Sequence, residues 1–179
     1  MLYKTQYSSP IGQLLIVSDE KALIGLWFEG QKYFLGTIYE EIKQDDQQPI
    51  LIQTKKWLDQ YFDLQYPLIT DLPLAPRGTE FQQAIWKILC QIPYGEVTTY
   101  AKIASQVADI YHKPRMSAQA VGGAVGHNPI SIIIPCHRVV GSQGSLTGYA
   151  GGIDKKIQLL EHEGVDVTKY CVPKKGKAL

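Results

Sequence analysis

Cysteine is scarce in this chain. Cys90, Cys136 and Cys171 make an odd set, and no two stand at the short spacing of a zinc or redox motif. That argues against a disulfide framework and predicts a reducing compartment. No cysteine precedes Cys90 and no histidine precedes His112, so the first half lacks the usual ligands of a structural zinc, and no metal is expected. No apolar run is long enough to span a membrane. The opening Met1-Leu2-Tyr3-Lys4-Thr5-Gln6 lacks the apolar core of a signal peptide. A soluble, cytoplasmic protein with no membrane partner is expected. Glycine and proline are scattered rather than clustered, which excludes a long disordered segment. The Lys174-Lys175-Gly176-Lys177 tail is basic but short and reads as a solvated end.

What is present can build a core: 45% of the 179 residues are hydrophobic, enough for one or two small domains. The net charge of +1 hides an asymmetry. Residues 1–75 hold six Lys and Arg against ten Asp and Glu, whereas residues 76–179 hold twelve against seven. A basic second half points weakly to a polyanionic partner for that half.

In residues 1–75 the pattern predicts a small α/β domain. Ser9-Pro10-Ile11-Gly12 reads as a turn. Strands are expected over Leu14–Val17 and Ala22–Phe28, split by Ser18-Asp19-Glu20-Lys21. Polar residues Glu40 to Gln48 read as a loop or frayed helix end. The spacing over Ile50–Phe62 predicts a helix with Ile50, Trp57, Leu58 and Tyr61 facing the core. Leu64 to Gly78, with Pro67, Pro73 and Pro76, reads as a linker into a mainly α second domain over 76–179. There Thr79 and Gln82 form a capping box, and Phe81, Ile85, Leu89 and Ile92 fall on one face. Pro93-Tyr94-Gly95 ends that helix. Thr98-Thr99 caps a second helix carrying Tyr100, Ile103, Ala104 and Val107. After Lys113-Pro114-Arg115, Ser117 caps a third helix over Ala118–Gly126. Two short helices joined by a turn, after a longer one, are a helix-turn-helix arrangement.

The third of these helices collects Gly122, Gly123 and Gly126, each costing about 1 kcal/mol against alanine in a helix interior. Positions 119, 122, 123 and 126 share one face, bare backbone headed by Gln119. Such a face suits either close helix packing or close approach to a flat ligand such as a DNA groove.

The densest chemistry lies at Ile132-Ile133-Ile134-Pro135-Cys136-His137-Arg138-Val139-Val140. An apolar strand is expected to run into Pro135, which cannot continue a ladder. A thiol, an imidazole and a guanidinium follow. A lone cysteine in an apolar run is ordinarily a buried inert thiol. Here the adjacent cations would let it ionise near neutral pH, and the thiolate is the nucleophile.

Pro135-Cys136-His137-Arg138-Val139 resembles the signature of the O6-alkylguanine-DNA alkyltransferases, the methylated-DNA–protein-cysteine methyltransferases. Ile92-Pro93-Tyr94-Gly95-Glu96-Val97-Thr98-Thr99-Tyr100 is similar to that family's entry into its helix-turn-helix. Ala120-Val121-Gly122-Gly123-Ala124 resembles its recognition helix, and Asn128-Pro129 its hinge. Gly148-Tyr149-Ala150-Gly151-Gly152 and Leu159-Leu160-Glu161-His162-Glu163-Gly164 resemble its pocket loop and closing helix. The match runs in order from about residue 79 to 164, with a looser fit before it.

The resemblance implies a ribonuclease-H-like N-terminal sheet with a helix and a C-terminal domain with a winged helix-turn-helix-like DNA-binding element. It implies repair of double-stranded DNA by single transfer of an alkyl group from O6 of guanine, with O4 of thymine a further candidate base, onto Cys136. The damaged nucleotide would be rotated out of the duplex into a pocket. On this resemblance His137 takes the thiol proton through a water, Glu163 orients His137, and Tyr100 donates to the departing base. Gln119, Gly122, Gly123 and Ser142 meet DNA, while Asn128, Val139 and Tyr149 shape the pocket. No cofactor and no obligate protein partner are implied. Two departures stand out: Gln119 occupies a position where the family commonly has arginine, and the loop Ala108–Met116 is long. Three alternatives remain: an alkyltransferase-like lesion binder that transfers nothing, a cysteine hydrolase, and a helix-turn-helix regulator of undamaged DNA.

Overall fold

The computed structural model of the chain describes residues 1–36 and 38–173; the basic tail from Lys174 lies outside the described residues. The chain divides into two compact units. The first takes Met1–Gly78 together with Pro129–Ile133, and the second takes Thr79–Asn128 and the chain from Ile134 onward.

The first unit is a four-stranded sheet with one helix. Strands β1 (Leu2–Ser9), β2 (Gly12–Ser18), β3 (Leu23–Phe28) and β4 (Ile42–Gln44) lie in the order β3-β2-β1-β4. The predicted turn at Pro10-Ile11 joins β1 to β2 in antiparallel register, Tyr3 opposite Ser18. The sequence pattern does not reveal β1, in which four of the eight positions are only partly buried and two are exposed. Nor does it reveal β4, three residues inside a polar stretch expected to be loop, paired parallel to β1. Strand β3 is buried along its whole length because its outer edge is covered. Leu26 N–H donates to Pro129 O at 2.8 Å, Ser131 N–H donates to Leu26 O at 2.9 Å, and Leu23 N–H donates to Pro73 O at 2.8 Å. The later part of the proline-rich segment expected as a linker, at Pro73 to Ala75, therefore covers a sheet edge. Gly25 leaves room for Trp27, whose ring would stand 1.8 Å from a Cβ there. Helix α1 (Pro49–Phe62) starts with proline in its first turn and with the Gln48 side chain accepting from Leu51 N–H. It buries Ile50, Trp57, Leu58 and Tyr61 as the periodicity predicts, and Leu51 and Thr54 as well.

The second unit is mainly helical. Helix α2 (Glu80–Leu89) opens on the expected reciprocal capping box between Thr79 and Gln82. It ends at Leu89, so Ile92 lies beyond it, and its ten residues make it no longer than the helix that follows. A two-residue strand β5 (Thr98–Thr99) leads into α3 (Tyr100–Ile110), which is capped by Thr99. Helix α4 (Ala118–Gly126) is capped by Ser117, with the predicted bounds. Trp86 Nε1 donates to Ala124 O at 2.9 Å, which ties α2 to α4. Strand β6 (Val139–Val140) pairs parallel with β5, and α5 (Ile153–His162) closes the unit by packing its Leu160 with Val140 and Leu146.

The apolar stretch before Pro135 is buried but is not a strand. It runs through tight turns, with Ile133 N–H donating to Ser131 O at 2.7 Å and Cys136 N–H to Ile134 O at 2.8 Å. Ile132 sits at φ 68°, a rare left-handed conformation for a β-branched residue. Hydrophobicity identified the burial; it cannot distinguish a ladder from a buried coil. Among the described residues no helix is long and apolar enough to cross a membrane.

Candidate active site

Pro135 stops the turn-rich segment, and Cys136–Arg138 form a single 3-10 turn in which all three side chains are buried. With about three residues per turn, neighbours point in different directions. The imidazole and the guanidinium nonetheless converge on one partner, Glu163, while the thiol interacts with Asn128 and Lys156.

Glu163, the C-cap of α5, is the hub. Its Oε1 accepts from His137 Nε2 at 2.7 Å and from Arg138 Nη2 at 2.8 Å. Its Oε2 accepts from Arg138 Nε at 2.8 Å and from Gly95 N–H at 3.4 Å. Arg138 also donates to Ile92 O at 2.7 Å, and its guanidinium carbon lies 5.6 Å from the centre of the Tyr94 ring. Burial alone would raise the Glu163 carboxyl, but the hydrogen bonds and charges of His137 and Arg138 outweigh it and hold the group well below the usual carboxylate range. Burial, with the charges of Arg138 and Lys156, outweighs the pull of Glu163 and keeps His137 neutral. A carboxylate can only accept, so Nε2 carries the imidazole hydrogen. The other nitrogen, Nδ1, then bears a lone pair; it is buried without a hydrogen-bond partner.

This arrangement corrects one expectation. The Arg138 charge is consumed by Glu163 rather than offered to the thiol. Burial pushes the Cys136 thiol up, while the Asn128 amide and the Lys156 charge pull it down by less. At neutral pH Cys136 rests as a thiol and needs a base.

Lys156 is a member that the sequence reading missed. It is fully buried on α5, and its Nζ donates to Val139 O, to Thr147 O at 2.9 Å and to Gly148 O at 3.4 Å. Burial lowers its pKa to about 8, against a smaller pull upward from Cys136. Position 156 falls three and four residues before Leu159 and Leu160, on the buried stripe of the helix, and that spacing was the available signal. Tyr100 Oη donates to the same carbonyls, Thr147 at 3.2 Å and Gly148 at 3.3 Å. Burial, and then the charge of Cys136, raise its phenol well above the usual range.

Asn128 Nδ2 donates to Ile134 O at 2.8 Å, so the residue just past the α4 C-cap grips the chain two residues before Cys136. Val139 is buried in β6 and Tyr149 is half-buried in the loop before α5. Ser142 is exposed, in a 3-10 turn where Gln143 takes φ 58°. On α4, Gln119 and Gly123 are exposed and Gly126 is half-buried; a Cβ on either glycine would meet open space. Gly122 is buried, so the bare face is narrower than the spacing implied. Residue 122 lies on the flank nearest Val125, which packs inward. Cys90 is half-buried and Cys171 exposed, both free thiols. Among the described residues no group of three or more His, Cys, Asp or Glu gathers where a metal could sit.

Two family descriptions match this sequence in order. Residues 2–76 match the ribonuclease-like domain of 6-O-methylguanine DNA methyltransferase, and residues 80–165 match its DNA binding domain. The chain belongs to the 6-O-methylguanine DNA methyltransferase family. It is 41% identical over 164 residues to the methylated-DNA–protein-cysteine methyltransferase of Haemophilus influenzae, covering 92% of this chain and 87% of that protein. The Methanosarcina barkeri protein of the same name is 44% identical over 165 residues, covering 90% and 97%. Among solved structures, Mycobacterium tuberculosis OGT in complex with DNA is 38% identical and superposes with a TM-score of 0.77 over 93% of this chain and 98% of that one. The family's two-domain fold, an N-terminal sheet domain and a C-terminal helical domain, is the fold found here.

Proposed function

We propose that this protein repairs double-stranded DNA by taking an alkyl group from O6 of guanine onto Cys136 Sγ, once per molecule. As a methylated-DNA–protein-cysteine methyltransferase it is spent by its own reaction. Membership of the family supports the activity. The observation that carries the choice of nucleophile is the buried thiol next to an imidazole whose Nδ1 is bare while its Nε2 is fixed by an ionised carboxylate.

The steps follow from that geometry. His137 Nδ1 takes the thiol proton across a bridging water. The imidazolium that forms is stabilised by Glu163, whose charge Arg138 holds in place. The thiolate attacks the alkyl carbon in line, so the S–C bond forms as the C–O6 bond breaks and the electron pair passes to guanine. Tyr100 donates a hydrogen bond or proton to the departing base, offsetting its developing charge. Lys156 holds the 147–148 carbonyls and adds a positive charge that favours the thiolate. A thiolate displacement is complete with these groups and draws on no cofactor.

Asn128, Val139 and Tyr149 shape the pocket. Gln119, Gly123 and Ser142 face DNA, with Gly122 acting through packing rather than contact. The target atom is inside the duplex, so the nucleotide must be rotated out before transfer. A thiol that must stay reduced suits the cytoplasm.

The test uses duplex DNA carrying a labelled O6-methylguanine. Label should pass to protein until one equivalent is bound, and Cys136→Ala should bind the duplex yet take up none. Lesion binding without uptake by the wild type would mark a non-transferring alkyltransferase-like protein instead.

A further inference from the structure

Helix α4 carries no charged side chain, although it presents the open glycine face and Gln119. A duplex is a polyanion, so the charge that holds it there must come from the flanks of the helix. On the N-terminal flank the chain builds a short rigid strap. Helix α3 ends in a Schellman closure: Lys113 N–H donates to Ala108 O at 2.8 Å and His112 N–H to Asp109 O at 3.2 Å. His112 takes the left-handed conformation at φ 53° that this closure requires. Pro114 then restricts both itself and Lys113. Met116 is half-buried, and Ser117 is locked as the cap of α4 by accepting from Ala120 N–H at 3.2 Å. Between these fixed ends Lys113 and Arg115 are exposed, and among the described residues neither side chain has an ion-pair or hydrogen-bond partner. From Thr99 to His127 the only acidic residue is Asp109.

We propose that Arg115, presented by this strap, grips a DNA phosphate beside α4 and holds the opened duplex, leaving Gln119 only to fill the gap in the base stack. The inference rests on the alkyl-transfer reading above. Rotating a base out leaves a void and strains the backbone next to it. Glutamine has the size and hydrogen-bonding groups for the void but no charge. A guanidinium two residues ahead of the helix cap is within about 7 Å of that cap along the backbone, before its own side chain is counted. It offers several donors to one phosphate. Because the strap is closed at both ends, little loop entropy is lost when the contact forms.

The experiment compares wild type, Arg115→Ala and Arg115→Lys in the full-length chain. Two quantities are read: the salt dependence of binding to a duplex, and the rate of transfer from O6-methylguanine duplex divided by the rate with free O6-benzylguanine. Arg115→Ala should lower that ratio about tenfold, the scale of one charge-assisted hydrogen bond. It should also flatten the slope of log affinity against log salt by about one. Arg115→Lys keeps the charge and should restore the slope. An unchanged slope and ratio in Arg115→Ala would overturn the proposal. So would an Arg115→Lys protein with the alanine slope, which would mean that the guanidinium plane stacks on bases instead. A wild type that takes an alkyl group from neither substrate would overturn the alkyl-transfer reading itself, a separate outcome.

Discussion

Replacing Glu163 by glutamine keeps the shape of the hub and removes its logic. Both carboxylate oxygens already accept two donors: Oε1 from His137 Nε2 and Arg138 Nη2, Oε2 from Arg138 Nε and Gly95 N–H. The new amide nitrogen must displace one oxygen. At the Oε2 place it would face two donors that cannot become acceptors. At the Oε1 place it faces one such donor and an imidazole nitrogen that can change roles. The second choice is the less costly, and it forces His137 Nε2 to accept, which moves the imidazole hydrogen to Nδ1. The nitrogen that should receive the thiol proton is then blocked. Loss of a positioned base costs about 10²–10⁴ in rate, and a wrong-tautomer substitution in serine proteases costs about 10⁴. We therefore expect the single-turnover transfer rate of Glu163→Gln to fall by about 10²–10⁴. Stability suffers too: a guanidinium left without its buried counter-charge costs about 3–5 kcal/mol. The Glu163 carboxyl is held below its ordinary pKa, so its contribution is full above the ordinary carboxylate range and is lost as pH falls below it. The variant should lack that part of the acid dependence. The assay is rapid-quench transfer at a temperature where circular dichroism shows the variant folded, with nitrogen-15 NMR reporting the His137 tautomer. A folded variant that transfers within a few-fold of wild type, or keeps its hydrogen on Nε2, would mean that Glu163 does not set the His137 tautomer.

Lys156→Met removes the buried cation that pulls the thiol down, so the reaction of Cys136 with iodoacetamide should shift to higher pH. Wild-type Lys156 itself loses its proton near pH 8, so the two profiles should differ most below that pH and converge above it; superimposable profiles would show that the thiol does not feel this charge. Gly123→Leu should leave the protein folded, because a Cβ there meets open space, yet weaken binding to duplex measured by fluorescence anisotropy. Unaltered affinity would mean that the glycine face does not meet DNA. Gln119→Ala should slow repair of duplex more than reaction with free O6-benzylguanine, since only the duplex must be opened; equal losses would remove Gln119 from base extrusion.

Local signals were the most legible part of the chain. Thr79, Thr99 and Ser117 cap the helices they were expected to cap, because a cap is a contact between residues two or three apart. β1 and β4 escaped because strand pairing is not local: β1 joins β4 across more than thirty residues, and neither alternates cleanly. The stretch at 132–134 misled for a related reason, since burial was correct and the hydrogen-bond pattern was not. In the site, adjacency suggested that Arg138 would charge the thiol. The actual partner is Glu163, 25 residues away, and only the family resemblance singled that residue out. Lys156 went unread because lysine is ordinarily a surface residue, and its three carbonyl partners, on β6 and on the loop before α5, are brought to it only by the fold.

One thiol of the three, Cys136, should accept the alkyl group, and weighing both products shows whether it does. The protein is mixed with an equimolar duplex holding a single O6-methylguanine, and intact masses and a peptide map are recorded for protein and DNA. The DNA should lose one methyl group, the protein should gain one, and the gain should map to the peptide bearing Cys136. Methyl on Cys90 or Cys171, or DNA repaired in excess over protein, would contradict it.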